Sequence, residues 1–476
     1  MSENARDKAG NRVAIIGGGV AGMTAACSLA EAGFAVQLIE RRGYLGGRAS
    51  SYLHPGVNEV IDNCQHALIG AYTNLLGFYR RIGVAEKIHW TTNYTLIEPG
   101  GRRSALGASR LPPPLHGLPK LLRCGAFSFA DKVSLSRAFT AILRGKANDS
   151  QESLGDWLRR HKQSKGAMER FWRLVIASAL NSDIDDIGVN YAAMVIRGLF
   201  MESAEAGALG MSTVPLSELY AAVPEFLATR SGEVRLNATV EGFARDAATG
   251  QWGVTVRGED DVLRADFVVL ALPFEGLQKF LPVLPDAEGK DQLAGKVERH
   301  VHWPLSSVHM WFDREVTDLE HAVLLDRELH WMYNQSKLQG RAGNYIELVQ
   351  SASRAFAALP REHAIAQAVD EVREFFPRAR EAKLVKAALV KEVRATFGVP
   401  PGIDAARPGS RSPWTNLFLA GDWIQTGWPS TMESAARSGH LAAEALCAEA
   451  GEVRRFLVAD LKPRGLMRWL TSGGIR

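Results

Sequence analysis

The chain has 476 residues, 46% of them hydrophobic and 23% charged. That is too long for one hydrophobic core, so two domains are expected, and the composition excludes a disordered chain. The net charge of +4 is too weak to imply a nucleic-acid partner, and the four scattered cysteines (Cys27, Cys64, Cys124, Cys447) form no CxxC pair, so no metal site or disulfide framework is expected and a reducing cytoplasm fits.

The polar start, MSENARDKAGNR, lacks the apolar centre of a signal peptide. Val13 to Ile16 is an apolar run leading into Gly17-Gly18-Gly19. A helical pattern follows from Val20 to Ala32 and stops at Gly33, and Ala35 to Ile39 reads as a second buried strand. From about residue 86 to 215 the character changes. Leu111-Pro112-Pro113-Pro114-Leu115 breaks any regular element, and Ser153–His161 and Met168–Leu180 read as helices. Strand signals return at Val234–Leu236, Trp252–Val256, Phe267–Leu272, Ser306–Phe312 and Tyr345–Val349. A helix from His363 to Phe375 is ended by Pro377, and Leu417 to Ala420 is a last buried strand before Gly421-Asp422. There is no internal repeat, and no apolar run reaches the ~18 residues a bilayer span needs.

The chemistry begins at Gly17, Gly19 and Gly22, a G-x-G-x-x-G between a strand and a helix. The first glycine permits the tight turn, the second lets a pyrophosphate approach the backbone, and the third lets helix and strand pack closely. The helix start, with Val20 and Ala21, offers free N–H groups to phosphate. Glu40 closes the second strand, where a carboxylate accepts from ribose hydroxyls. This much does not separate NAD from FAD; two further features do. Gly46-Gly47-Arg48 allows close approach and adds a fork of donors. The segment 417–446 repeats strand, Gly-Asp, loop and helix. There Asp422 suits ribityl hydroxyls, and the helix starting near Thr431-Met432 points its positive end at the reducible edge of a flavin. The motifs place Gly17, Gly19, Val20, Ala21, Gly22, Glu40, Gly46, Gly47, Arg48, Gly421, Asp422, Thr431, Met432 and Ser434 in the expected cofactor set.

These motifs resemble those of flavin amine oxidases, protoporphyrinogen oxidases and phytoene-type desaturases. More specifically, the chain resembles the squalene-associated FAD-dependent desaturases, the hydroxysqualene dehydroxylases of hopanoid biosynthesis. The residues concerned are Asp62-Asn63-Cys64-Gln65-His66, the stretch from Thr73 to Gly83, Ile97 to Gly101, Ala179-Leu180-Asn181 and Gly427 to Ala435. The resemblance implies an α/β fold: a Rossmann-type FAD-binding domain, discontinuous in sequence (12–85, 216–282 and 408–450), with an inserted α+β substrate domain (86–215 and 283–407). Residues 451–476 are expected to form a basic amphipathic tail. The resemblance also adds Arg41, Asn63, Gln65, His66 and Val240 to the expected cofactor set.

The resemblance further implies reduction of hydroxysqualene, a C30 allylic alcohol, to squalene. An acid must protonate the leaving hydroxyl, a dry tunnel must shield the cation, and hydride must follow. Asp62, His66 and Glu433 are the acid candidates, His66 first by its intrinsic pKa. Two other roles stay open: a cofactor-positioning loop in which Asp62 orients His66, and a plain helix-start acid for Glu433. Trp157, Trp172, Trp303, Trp311 and Trp331, with Phe171 and Phe312, are expected to be mostly core. A carotenoid-type desaturase running the opposite way, an amine or protoporphyrinogen oxidase with Trp423 and Trp428 in an aromatic cage, and a non-catalytic prenyl-escort protein are the competing readings. The electron donor is not visible in the sequence. Segment 111–123 and the tail from Arg454 mix basic and apolar residues, which suggests a protein on the cytoplasmic face of a membrane.

Overall fold

The computed structural model describes residues 11–149 and 151–472. The polar start up to residue 10 and the tail beyond residue 472, including Arg476, lie outside them.

Apolar runs too short for helices become the strands of a parallel sheet. Its order is Glu233–Arg235, Ala35–Ile39, Arg12–Ile16, Phe267–Ala271, Leu417–Ala420. Three sequence-distant segments therefore share one sheet. The first predicted helix forms at Val20–Glu31, and a long helix, Met432–Glu449, packs across it. Gly439 permits that contact: a Cβ there would sit 2.4 Å from the Ala21 carbonyl oxygen. Val13, Met23, Leu38, Ala442 and Leu446 bury between sheet and helices. The antiparallel strands Val240–Arg245, Trp252–Val256 and Leu263–Ala265 form a small separate sheet.

A seven-stranded mixed sheet contains Leu384–Phe397, His302–Phe312, Tyr345–Gln350, Trp331–Asn334, His321–Leu324, Asn93–Ile97 and Arg103–Gly107 in that order. The helices Phe129–Leu143, Leu154–Arg160, Leu174–Leu180 and Val189–Phe200 build a helical layer beside it. Ser153 caps its helix by accepting from the Asp156 N–H, as its position at the start of the helical pattern implies. The predicted helix Met168–Leu180 is not uniform: Met168–Arg173 is a π-helical turn and the α-helix proper is Leu174–Leu180. Such turns insert a residue and re-aim side chains. Here Arg170 and Phe171 reach a cavity.

The C-terminal segment, expected as a basic amphipathic tail, is held against the body. Phe456 and Leu457 donate backbone N–H groups to Glu444, Val458 donates to Asn74, and Asp460 pairs with Arg437. Arg464 pairs with Glu205 and the Leu466 N–H donates to the Pro113 carbonyl, so the segment is tied to the body as far as Leu466, and Met467–Ser472 forms a terminal helix. Among the described residues, no helix is long and apolar enough to cross a membrane.

Candidate functional site: a flavin cleft opening into an apolar cavity

The glycine turn has the form its spacing predicts. Gly17 has φ +113°, and a Cβ there would lie 2.4 Å from the Ala271 carbonyl oxygen. At Gly22 a Cβ would lie 1.9 Å from the Gly17 carbonyl oxygen. These two glycines serve packing. Gly19 differs: the nearest atom to a Cβ there is the Gly47 Cα at 4.0 Å. The two backbones face each other across a gap held by the Gly46 N–H, which donates to the Gly18 carbonyl at 2.9 Å. Gly19 starts the helix with no side-chain cap and no acid in its first turn, so Val20 and Ala21 present bare N–H groups beside that gap. Glu40 is buried and accepts from the Gly18 and Arg42 N–H groups at 2.7 and 2.8 Å. The Ala238 N–H donates to the Glu40 carbonyl, which brings Val240 near. Arg41 is exposed; its neighbour Arg42 instead donates to the Gly47 carbonyl.

Arg48 and Asp422, far apart in sequence, form a 2.5 Å ion pair. Burial alone would raise the Asp422 carboxyl, but Arg48 and the Ser430 hydroxyl outweigh it and hold the group below the usual range. The loop carrying Asp422 is set by Arg407, which the sequence reading missed. Its buried guanidinium donates to the carbonyls of Asp422, Trp423 and Ile424 and to the Tyr191 hydroxyl. Nothing in the local sequence marks it, because most of its hydrogen bonds go to backbone oxygens. Gly421 has φ +148°, and its N–H donates to Ser438. Thr431 caps the helix Met432–Glu449 by accepting from the Ser434 N–H, and the Ser434 hydroxyl donates to the Asp422 carbonyl. Thr431 and Met432 line the cavity beyond.

That cavity, of about 270 Å³, runs from this cleft toward the helical layer. Arg48, Asn63, Gln65, His66, Glu392 and Trp428 line its polar end. Apolar side chains such as Val175, Met194, Val195 and Phe200 line the other. Tyr72 and Trp428 meet edge to face at 5.6 Å, and Trp331 stacks on Tyr333 at 5.8 Å. Of the aromatics expected to be mostly core, Trp331 and Phe171 reach the cavity. Trp157 and Trp172 are core, and Trp423 is buried with its indole N–H on the Leu272 carbonyl, so Trp428 pairs with Tyr72 rather than with Trp423.

The acid candidates separate. His66 lines the cavity. Its Nδ1 lies 2.8 Å from the Cys64 carbonyl, which can only accept, so the neutral ring carries its proton on Nδ1. Burial lowers its pKa, against the Cys64 bond, and Arg48 lowers it further. Asp62 does not orient His66 and does not line the cavity. Its carboxyl accepts from the Ser51 hydroxyl at 2.6 Å and the Leu216 N–H at 3.1 Å, and burial raises it to about 6. Glu433 is also away from the cavity. Its carboxylate clamps the start of helix Thr73–Arg81, accepting from the N–H groups of Asn74 and Leu75 and pairing with Arg437. It is the helix-start acid of two helices at once, its own and the neighbour's.

Two carboxyl groups escaped the sequence reading. Glu392 lines the cavity and accepts from the Asn63 amide at 3.1 Å. Glu347 accepts from the Gln65 N–H and the Gln335 amide. Burial, reinforced by Asp62, pushes it up to about 8. An acid inside the apolar strand Tyr345–Gln350 was the available signal. The Gln65 side-chain oxygen accepts from Gln335, while its Nε2 is buried at the cavity with no partner among the described residues.

The glycine cradle, the ribose-side carboxylate and the second Gly-Asp strand define a flavin-binding oxidoreductase. The family profile of flavin containing amine oxidoreductases matches residues 20–447, and the chain belongs to that family. It is similar to a 15-cis-phytoene desaturase of Synechococcus elongatus, 26% identical over 93% of this chain and 97% of that one. It is equally similar to a probable zeta-carotene desaturase of the same organism, 26% identical over 91% and 98% of the two chains. In fold it is similar to an oxidoreductase from Methanosarcina mazei (TM-score 0.70, 14% identity, 90% of this chain and 98% of that one). It also matches a putrescine oxidase (TM-score 0.69, 17% identity, 92% and 99%). The cofactor is FAD. The open space at Gly19 and the uncapped helix start are what such a group needs.

Proposed function

We propose that this protein reduces a C30 allylic alcohol of the hydroxysqualene type to the hydrocarbon, with loss of water. The observation that carries the reading is the contrast along the cavity: a long apolar lining that ends in a polar cluster with one unpartnered amide donor, Gln65 Nε2. A pure hydrocarbon has no oxygen for that donor. In the reaction the C–O bond breaks, water leaves with an added proton, and hydride closes the carbon. Bound FAD in its reduced form supplies the hydride. The protein's own residues exclude water, place the oxygen and move the proton. Tyr72, Trp428 and Trp331 offer ring faces to positive charge. His66 is the ring that meets the cavity, and Glu392 at the same end favours its charged form. We assign the proton to this pair rather than to Asp62 or Glu433. Replacing His66 by Ala at unchanged flavin content is expected to slow turnover by about a hundredfold or more.

The phytoene and zeta-carotene desaturase relatives favour a second reading, in which a carotenoid-like hydrocarbon is oxidised and the neutral His66 accepts a proton. Anaerobic mixing separates the two. Photoreduced protein reoxidised by hydroxysqualene, with squalene found by mass spectrometry, supports dehydroxylation. Oxidised protein bleached by phytoene, with no reaction toward the alcohol, replaces it.

Such substrates dissolve in bilayers, and we infer a peripheral membrane face. Leu115, Leu118 and Leu122 are exposed on one segment, and Leu466 just before the terminal helix with Trp469 and Leu470 on it. The Leu466 N–H donates to the Pro113 carbonyl, which joins the two segments in one patch. Removal of residues 463–476 is expected to weaken vesicle binding; unaltered binding would count against this face.

A further inference from the structure

The helix Phe129–Leu143 has two unlike faces. Inward, Leu135, Ala138 and Ile142 are buried, and Phe139 packs on Phe171 and Phe200 at 5.6 and 6.0 Å. Phe171 and Phe200 in turn line the substrate cavity. Outward, Phe129, Lys132, Val133, Ser136, Arg137, Thr140 and Arg144 recur at three- and four-residue spacing, and with Lys146 and His161 they line a second, open groove of about 520 Å³. Neither the cofactor nor the substrate cavity uses it.

The groove's chemistry is one-sided. Among the described residues, no carboxylate lines it. Lys132 is spent on the Leu122 carbonyl, and the Ser136 and Thr140 hydroxyls donate back to their own helix, to the carbonyls of Lys132 and Ser136. Asp131, the helix's acid, is turned away and held by Ser128 and Ser164. Arg137, Arg144 and Lys146 are exposed and have no ion-pair partner among the described residues. Three unpaired cations sit side by side, although surface cations are readily paired elsewhere in this chain, as at Arg159 and Arg160. The groove's mouth is apolar: Phe129 is 82% exposed and Leu122 58%. Leu122 also belongs to the apolar segment that carries Leu115 and Leu118.

We propose that this groove is a binding site for the phosphate head group of an anionic phospholipid. Arg137, Arg144 and Lys146 hold the phosphate, and the acyl chains leave over Phe129 and Leu122 into the bilayer. Arginine forks suit the paired oxygens of a phosphodiester, and a basic surface beside apolar side chains is what an anionic leaflet attracts. A free phosphate ion would use the cations but leave Phe129 and Leu122 in water, so the occupant is the lipid. Because the same helix backs the substrate cavity, an anchored head group would fix that wall at the membrane surface. The proposal rests on the peripheral reading above but adds a lipid class and a site to it.

The test is cosedimentation of the full FAD-loaded chain with phosphatidylcholine vesicles, with and without phosphatidylglycerol. For the wild type, phosphatidylglycerol is expected to strengthen binding by roughly a hundredfold, the increment for three cations at an anionic surface. R137Q/R144Q/K146Q is expected to lose that gain while keeping its weaker binding to phosphatidylcholine. R137K/R144K, which keeps the charge, should retain most of the gain and guards against misfolding. A triple variant that keeps the full gain, or a wild type that shows none, overturns the site. Release from the vesicles by excess inorganic phosphate, at constant ionic strength, overturns the lipid as ligand in favour of a soluble anion. Turnover in detergent micelles is a separate readout. The triple variant should match the wild type there, and a wild type with no turnover of either substrate class would sink the catalytic reading while leaving the binding result in place.

Discussion

The backbone N–H of Gln65 donates to Glu347 Oε1 at 2.8 Å, tying the loop after Asp62 to the middle of the larger sheet. Glu347 is fully buried, and among the described residues no Lys or Arg pairs with it. Its nearest basic group, His309 Nε2 at 4.0 Å, is itself held neutral by burial, with a pKa lowered to about 3. The contact is therefore between two uncharged groups near neutrality, not an ion pair. It positions the residue whose unpartnered amide meets the cavity.

A pH dependence follows, and its sign is fixed by the direction of the shift. The Glu347 carboxyl is raised from 4.5 to about 8, so the folded state holds its proton more tightly than the unfolded one. The stability this contributes is complete below about 4.5 and is lost as pH rises toward 8. Asp62, raised to about 6, loses its contribution over a lower window. Replacing Glu347 by Gln keeps the acceptor for Gln65 and removes the titration. Thermal melts from pH 5 to 9 are expected to fall steeply for the wild type toward pH 8 and less so for E347Q, with a difference on the order of a few kcal/mol. Parallel curves would show that Glu347 does not titrate in this range.

The glycine motif separates packing from ligand space, and two variants read them apart. Gly22→Ala places a Cβ 1.9 Å from the Gly17 carbonyl oxygen, so the strand–helix unit must shift; low yield and a melting temperature depressed even with excess FAD are expected. Gly19→Ala meets nothing closer than 4.0 Å and keeps an ordinary φ of −77°. The apoprotein should fold normally yet bind FAD about tenfold or more weakly, because the methyl occupies the gap toward Gly47. Equal FAD affinity in G19A would place the pyrophosphate elsewhere.

What the sequence could and could not disclose follows from the range of the interactions. Gly22 and the Val13–Ile39 unit were legible because their constraints act between residues close in the chain. The Thr431 cap was legible for the same reason. Glu433 was misplaced because its role is set by Asn74 and Leu75, 358 or more residues away. Arg407 left no trace because it binds mainly carbonyls, which every residue has. The π-helical turn at Met168–Arg173 looked like plain helix because its apolar spacing is nearly helical. Glu347 broke an otherwise apolar strand, but only the fold shows that its partner is the loop at Gln65.

The Glu433 clamp makes a prediction opposite to that of a cavity acid. Its carboxylate satisfies two backbone N–H groups, the Asn74 amide and Arg437. Glu433→Ala leaves the buried Arg437 guanidinium with only its pair to Asp460 and the helix start at Asn74 without its acceptor, and about 3–5 kcal/mol of stability should be lost. Chemical denaturation checks this. If E433A melts like the wild type but turns over far more slowly, the carboxylate acts in chemistry after all.

Gly198 bears on substrate length. It lies in the helix Val189–Phe200 and lines the apolar end of the cavity, and a Cβ there meets nothing within 4 Å. Gly198→Leu therefore projects into the space a long chain would occupy rather than into protein. In the helix itself the change is favourable by up to about 1 kcal/mol, so folding and flavin content should hold. A C30 substrate has to compete with the new side chain, whereas a C15 allylic alcohol seated at the polar end does not. The KM for the C30 alcohol is expected to rise about tenfold, with little change for the C15 analogue. Because the comparison is made within one variant, a general loss of activity would affect both substrates alike, and only a length-dependent effect places the far end of the chain beside Gly198.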